Sequence, residues 1–203
     1  MTRKYDSPAR REALQETRER ILDAVVEVVT REGVHAFTVQ NVANAAGVAH
    51  RTVYRHFESR EALLDGLDEL LERRATQAGI THPDLDTVED LPGLVGPLFS
   101  SFDALRDAMR AYVVISIALG RRARGYDDRT RAIHAHLARA FPTLPAEEVD
   151  DAAAVIRMLS GTRSWFLLTT EQDMSAAAAA RAVSRAVEAL FTDLAARSRQ
   201  QSP

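Results

Sequence analysis

The sequence contains no cysteine, which excludes disulfides, thiolate catalysis and any zinc or iron–sulfur site that needs a Cys ligand. It also has no apolar run near the roughly 18 residues that a membrane-spanning helix needs. The basic N-terminal end lacks the apolar segment of a secretory signal. We therefore expect a cytoplasmic protein without a membrane partner.

The patterns that usually carry catalysis are missing as well. The chain shows no Gly-rich phosphate loop, no nucleophile elbow and no alternating strand pattern of any length. His134 and His136 are two residues apart, so a helix points them to different sides and they cannot share one metal ion. Acidic pairs such as Asp127 with Asp128 lie near predicted helix starts, where the helix dipole favours negative charge. We predict no enzyme activity, no metal and no cofactor.

Helical periodicity is what the sequence has instead, and its most informative block covers residues 37–64. The block reads FTVQNVANAAGVAHRTVYRHFESREALL. Thr38 is a predicted N-cap, and the residues that follow it form one apolar helix face by their spacing of three and four. Gly47 stands where this helix must end and turn, because glycine takes left-handed backbone angles without a steric penalty. Ser59 is the predicted N-cap of a later helix.

The helix after the turn has the chemistry of a DNA probe. Val53 and Phe57 are four residues apart and share a buried side, which leaves the polar residues of this helix on its other faces. Arginine can bond guanine O6 and N7, threonine can contact a thymine methyl, and tyrosine or histidine can donate to phosphates. An Arg-rich, solvated helix face in a plain three-helix bundle is the alternative.

The block resembles the helix-turn-helix of the TetR family of transcriptional repressors. The resemblance is carried by Thr38, Gly47, Val48, Thr52, Tyr54, His56 and Phe57. Two positions depart from the family pattern. Ala49 stands where a capping Ser or Thr often begins the recognition helix, and Arg60 stands where Lys is usual.

The resemblance implies an all-α protein of about nine helices that binds a palindromic double-stranded DNA operator. Residues 1–60 would hold a basic arm and the three-helix helix-turn-helix domain, with a recognition helix at about 49–57. Residues 61–203 would form a larger helical domain for effector binding and dimerisation. The predicted DNA-binding residues are Thr38, His50, Arg51, Thr52, Tyr54, Arg55, His56 and Arg60, together with Arg10 and Arg11 of the arm.

Charge is distributed in agreement with this division. Residues 1–60 contain 10 Lys and Arg against 8 Asp and Glu, whereas the whole chain has a net charge of −3. Arg3 and Lys4 join Arg10 and Arg11 in a basic arm before the first helix. Such arms often follow phosphates or enter the minor groove, and a solubilising tail is the equal alternative.

Two long helical patterns near the C-terminus, at about 146–171 and 175–197, are the predicted dimer helices. In the second, an apolar row at spacings of three and four would pair with its copy in a homodimer, as the resemblance implies. That row is Val183, Val187, Leu190 and Leu194. Closing the monomer's own core is the alternative use of the same residues.

A cavity for an unknown small-molecule effector is predicted in the C-terminal part. Its lining would be the aromatic and methionine side chains Phe99, Phe102, Met109, Tyr112, Met158, Trp165 and Phe166. Such residues at helical spacing are more often plain core, so the cavity depends mainly on the resemblance. The other function that the sequence permits is a helical protein-interaction module whose Arg-rich face binds acidic proteins without DNA specificity.

Overall fold

The computed structural model describes residues 8–79, 91–122 and 126–201, and all regular elements in these ranges are helices. The α-helices are α1 (Pro8–Glu32), α2 (Val39–Ala45), α3 (His50–His56), α4 (Arg60–Gln77), α5 (Val95–Ala104), α6 (Arg106–Ala118), α7 (Tyr126–Ala140), α8 (Ala146–Leu159), α9 (Thr162–Thr170) and α10 (Ala176–Gln200). Short 3-10 helices lie at Val34–Ala36 and Pro92–Leu94. The all-α prediction is confirmed, with ten α-helices in the described ranges where about nine were expected.

These helices form two compact units. The first contains the described residues of 1–77 and 107–122, and the second contains those of 78–106 and 123–203. All of α4 therefore belongs to the first unit, together with nearly all of α6. An ion pair of 3.0 Å between Arg121 and Asp65 joins the end of α6 to α4. The domain boundary after residue 60 stays a prediction.

The first unit is built around α1, which packs against both α2 and α4. Its apolar row is fully buried at Ile21, Leu22 and Val25. Arg18 of the same helix joins three parts of the unit. Its Nη1 donates to the backbone carbonyl of His56 over 3.3 Å, its Nη2 pairs with Glu69 at 3.0 Å, and its guanidinium lies 4.3 Å from the centre of the Phe57 ring.

Gly66 is the point of closest approach between α4 and the end of α3. A Cβ atom at this glycine would lie 2.5 Å from Cε1 of Phe57 and 3.2 Å from Nη2 of Arg18. A glycine within a helix is unfavourable by roughly 1 kcal/mol relative to alanine, so its presence here is explained by packing. It lets the Phe57 ring lie directly against the helix backbone.

In the second unit α10 packs along α5, and α7 packs against α8. Trp165 of α9 is completely buried, and its ring meets the ring of Phe102 edge to face with 6.1 Å between centroids. Phe141 and Phe191 form a second edge-to-face pair at 5.8 Å. The core of this unit is therefore aromatic and aliphatic.

The predicted helix at about 146–171 is wrong in one respect, because the structure divides it into α8 and α9. Ser160 ends α8, and Gly161 is extended with φ −86 and ψ 167. The last helix begins after Ser175, whose Oγ accepts from the Ala178 N–H over 3.2 Å, and it continues to Gln200.

None of the helices in the described ranges is both long and apolar enough to cross a membrane.

Candidate DNA interface

Thr38 begins α2 as the sequence predicts. Its backbone is extended, and its Oγ1 accepts from the Asn41 N–H over 3.1 Å. The side-chain amide of Asn41 in turn donates to the Ala36 carbonyl over 2.9 Å, which fixes the entry to the helix. Because the cap uses only the acceptor side of the Thr38 hydroxyl, its proton stays available for a phosphate oxygen.

The turn between α2 and α3 is closed by two backbone hydrogen bonds. Gly47 N–H donates to the Asn44 carbonyl over 3.2 Å, and Val48 N–H donates to the Ala43 carbonyl over 3.0 Å. This is the Schellman arrangement, which needs a residue with positive φ after the helix cap. Gly47 meets that need with φ 63. The turn sets the direction in which α3 leaves α2.

On α3 the polar residues share one exposed surface. Val53 and the following Phe57 are buried, as predicted. His50, Arg51, Tyr54 and Arg55 are exposed, and their spacing of one and four residues places them on one side of the helix. The rings of His50 and Tyr54 meet edge to face at 5.0 Å, which orients both side chains. Thr52 is half-buried beside this surface.

His56 is more enclosed than its neighbours. Its ring is half-buried, and Nε2 is buried without a hydrogen-bond partner in the described part of the chain. Burial lowers the pKa of His56, and the charges of Arg55 and Arg18 lower it further. The imidazole is therefore a neutral group near pH 7, and its predicted contact with phosphate would lack a full positive charge.

The structure explains the departure at Arg60 but not the one at Ala49. Ala49 is extended as the N-cap of α3, and no side chain caps that helix. The guanidinium of Arg60 lies 4.8 Å from the centre of the Phe37 ring, a stacked contact for which arginine is better suited than lysine. Next to it, Ser59 Oγ accepts from the Ala62 N–H over 3.1 Å, which confirms the predicted cap of α4.

The predicted basic arm is partly wrong, because α1 begins at Pro8. Arg10 and Arg11 therefore lie in the first turn of α1 and are exposed there. Proline at the start of a helix is favourable, since its fixed φ suits the helix and it has no N–H to leave unpaired. Arg3 and Lys4 lie outside the described residues. The role of all four in DNA binding stays a prediction.

Arg18 and Gly66 support this surface, and neither is among the predicted site residues. Both hold Phe57, the residue that ends α3, through the contacts given above. Gly66 carried a signal in the sequence, because it interrupts the leucine row of α4. Arg18 carried none, since an arginine on a long charged helix is usually solvated.

The predicted effector residues are divided between the two units. Phe99, Phe102 and Trp165 are buried in the second unit, and Phe166 is half-buried there. Met109 and Tyr112 are buried in the first unit. Met158 is 58% exposed, so it lies on the surface of α8. The effector cavity stays a prediction.

Most of the predicted dimer row is covered by the chain itself. Val183, Val187 and Leu194 are buried, and Leu190 is half-buried. This burial is what the alternative, a monomer core, requires. The assignment of these four residues to a dimer interface stays a prediction.

The exposed donors of α3, the Schellman turn and the capped start of α2 together define a helix-turn-helix DNA-binding domain. The family model described as bacterial regulatory proteins, tetR family, matches residues 21–67. Residues 21–67 therefore form a tetR-type DNA-binding domain.

The similarity to curated relatives is confined to part of the chain. The transcriptional repressor KstR2 of Rhodococcus jostii is 30% identical over 100 residues, which are 47% of this chain and 48% of that protein. The chain thus spans at most about half the length of the curated relatives it matches, and about a third or less of several of them.

Solved structures extend the likeness of the fold to almost the whole chain. A TetR-like transcriptional regulator from Rhodococcus sp. RHA1 has a TM-score of 0.59 at 14% identity, covering 88% of this chain and 96% of that one. The multidrug binding protein EbrR, complexed with imidazole, has a TM-score of 0.56 at 20% identity, covering 94% and 96%. At such identities these matches show the fold alone.

Proposed function

We propose that the protein is a transcriptional repressor that binds a palindromic DNA operator as a homodimer and responds to a small molecule. The observation that carries the DNA-binding part is the exposed surface of α3, where His50, Arg51, Tyr54 and Arg55 project from one side of a helix in a tetR-type domain. A recognition helix of this kind lies in the major groove. The protein would act in the cytoplasm, with the DNA.

The residues of the interface divide by role. Arg51 and Thr52, with His50 beside them, would contact base edges, whereas Tyr54, Thr38 and Arg60 would hold phosphates and fix the register. Arg55 is exposed and can do either. His56 would contribute to the register mainly through packing, because its ring is half-buried and its pKa is lowered.

Arg51→Ala is expected to lower operator affinity by about 1 to 3 kcal/mol while leaving affinity for random DNA nearly unchanged, because a base contact is lost. Arg60→Ala is expected to weaken all duplexes alike and to reduce the salt dependence of binding, because a phosphate contact is lost. The measurement is a titration of both variants on operator and random duplexes at two or more salt concentrations.

The operator for that titration comes from selecting bound fragments out of random or genomic DNA with the wild-type protein. An enriched inverted repeat would support both the DNA reader and its two-fold symmetry. Equal losses on operator and random DNA for both variants would refute the division into base and phosphate contacts. Binding to acidic proteins without any enriched DNA would favour the interaction module instead.

The surface of α8 and α9 supports the homodimer. Val155, Met158 and Leu167 are large apolar side chains with exposed fractions of 42%, 58% and 45%. Val155 and Met158 are three residues apart on α8 and share one face. Large exposed apolar side chains that share a helix face are typical of a protein–protein interface. We propose that this surface, with the exposed side of α10, meets its copy.

Met158→Glu is expected to raise the dimer dissociation constant at least about tenfold, since an unpaired carboxylate in an apolar interface is strongly disfavoured. Ile117→Glu is the matched control, because Ile117 is 50% exposed and lies in the first unit. Sedimentation of the wild type and both variants over a range of concentrations measures the change. A dimer as tight for Met158→Glu as for the control would place the interface elsewhere.

The response to a small molecule is supported by the aromatic second unit and by fold neighbours such as EbrR, which was solved with imidazole bound. An effector can shift DNA binding only through a difference in its affinity for two states of the protein. A coupling of roughly 1 to 3 kcal/mol would change operator affinity about 5- to 150-fold. Such a ligand would alter the melting temperature and operator binding together.

A further inference from the structure

Arg157 is a buried cation in the second unit. Its residue exposure is 7%, and it lies on the same side of α8 as the buried Ala153 and Ile156. Within the described residues no hydrogen bond or ion pair joins Arg157 to another group, and its Nε atom is buried without a partner. Buried arginines are normally paired, because an uncompensated charge away from water is unfavourable by several kcal/mol.

Among the described residues, no carboxylate pairs with this guanidinium. Its Cζ lies 4.6 Å from the centre of the Tyr126 ring, so the cation is stacked on an aromatic face. Burial lowers the pKa of Arg157, and the charge of Arg129 lowers it further. Interaction with Tyr126 acts in the opposite direction and raises it. A buried guanidinium that no described carboxylate pairs with favours an anion beside it.

The start of α9 lies beside the same guanidinium. Gly161 is the N-cap of α9, and no side chain caps the first turn of that nine-residue helix. A Cβ at Gly161 would lie 2.9 Å from Nη1 of Arg157, so the guanidinium occupies the space that a side chain would take. Uncapped N–H groups and the positive end of a helix dipole attract anions. The guanidinium and the uncapped helix start, which each favour an anion, are therefore neighbours.

A purely structural role is the alternative. Arg157 lies in the last turn of α8, where a positive charge is favoured by the helix dipole. That effect is largest for carbonyl groups that the side chain bonds directly, and Arg157 bonds none in the described part of the chain. It also does not explain why the charge is buried against Tyr126. An exposed arginine such as Arg139, in the last turn of α7, obtains the same benefit without losing water.

We propose that Arg157 binds the oxyanion group, carboxylate or phosphate, of an acidic small-molecule effector between Tyr126 and the start of α9. The guanidinium fork matches two oxygens of such a group, and the ring of Tyr126 holds the plane of the fork. Gly161 lets Nη1 of Arg157 lie directly against the start of α9. This inference rests on the proposed effector response and names the chemical class of that effector.

The test compares the wild type with Arg157→Met, Arg157→Lys and the control Arg139→Met. Thermal melting is followed with sodium octanoate, sodium benzoate and sodium phosphate as probes. Sodium chloride at equal ionic strength and octanamide are the references. The wild type and Arg139→Met are expected to gain roughly 5 to 10 °C in Tm at a probe concentration about 100 times Kd. Octanamide, which has no charge, should give no such gain.

Arg157→Met should lose the gain completely, and without ligand its Tm should equal or exceed that of the wild type, because a buried unpaired charge has been removed. Arg157→Lys should keep part of the gain, since it retains the charge but not the fork. If only phosphate raises the Tm, the effector class is phosphorylated compounds. If only octanoate and benzoate raise it, the effector class is carboxylic acids. A wild type that responds to none of the three probes more than to chloride overturns the proposal. So does an Arg157→Met variant that keeps the wild-type response.

Selection of DNA with the same preparations separates this inference from the proposed function. If DNA is enriched but no anionic probe raises the Tm, the proposed DNA binding is supported and the acidic effector is refuted. If the anionic probes raise the Tm only when Arg157 is present and no DNA is enriched, the anion site is supported and the repressor function is refuted. A ligand gain in Tm accompanied by at least about fivefold weaker operator binding, in the wild type but not in Arg157→Met, is the result expected if both hold.

Discussion

Gly66→Ala is expected to lower the free energy of unfolding of the first unit by about 1 to 3 kcal/mol, the usual effect of overpacking a tight contact. The new Cβ would lie 2.5 Å from Phe57 Cε1 and 3.3 Å from Leu22 Cδ2, so the Phe57 ring must move. Because Phe57 ends α3, the displacement should also weaken operator binding. Chemical denaturation followed by circular dichroism measures the first effect, and a DNA titration measures the second.

Gly96→Ala is the matched control, since Gly96 also lies in a helix but a Cβ there would meet nothing within 4 Å. It should be neutral or stabilising by about 0.4 to 1 kcal/mol, because alanine restricts the unfolded chain. A Gly66→Ala protein that is as stable as this control and binds the operator normally would contradict the close approach of α4 to Phe57.

Trp165→Ala is expected to have the largest effect on stability, a loss of about 3 to 5 kcal/mol in the free energy of unfolding. The side chain is completely buried, and its ring packs edge to face against Phe102. Removing it leaves a cavity as well as a loss of apolar burial. The midpoint of urea unfolding, followed by circular dichroism, should fall accordingly.

Ile117→Ala provides the comparison, because Ile117 is 50% exposed and surface substitutions usually stay within about 0.5 kcal/mol. Trp165→Phe tests whether the indole N–H contributes to stability. Because this N–H has no partner in the described residues, we expect Trp165→Phe to lose packing contacts only. A Trp165→Ala protein that unfolds at the wild-type midpoint would mean that α9 does not contribute to the core of the second unit. Trp165 is the one tryptophan of the sequence, so its fluorescence should also report a buried indole in the wild type.

The helix-turn-helix could be predicted from the sequence because its signals are local. Thr38 and Ser59 cap the helices that follow them, and Gly47 supplies the positive φ that the turn requires. Each of these roles depends on backbone atoms within a few residues. The buried side of α3 was equally predictable from the spacing of Val53 and Phe57.

What the sequence did not predict depends on contacts between distant residues. The apolar periodicity continues across Gly161, so the division into α8 and α9 could not be seen in it. The grouping of residues 107–122 with the first unit depends on long-range packing. Arg157 follows the isoleucine of an apolar row, and only the fold reveals that its charge is buried without a counter-ion in the described residues.

The turn at Gly47 imposes a constraint of handedness rather than of volume. Its φ is 63, yet a Cβ at this position would meet nothing within 4 Å. An L-alanine at this position would therefore be strained by its backbone angle and not by any contact of its Cβ, because L-residues rarely adopt a positive φ. The direction in which the DNA-contacting helix leaves α2 depends on the absence of a chiral centre at a single residue.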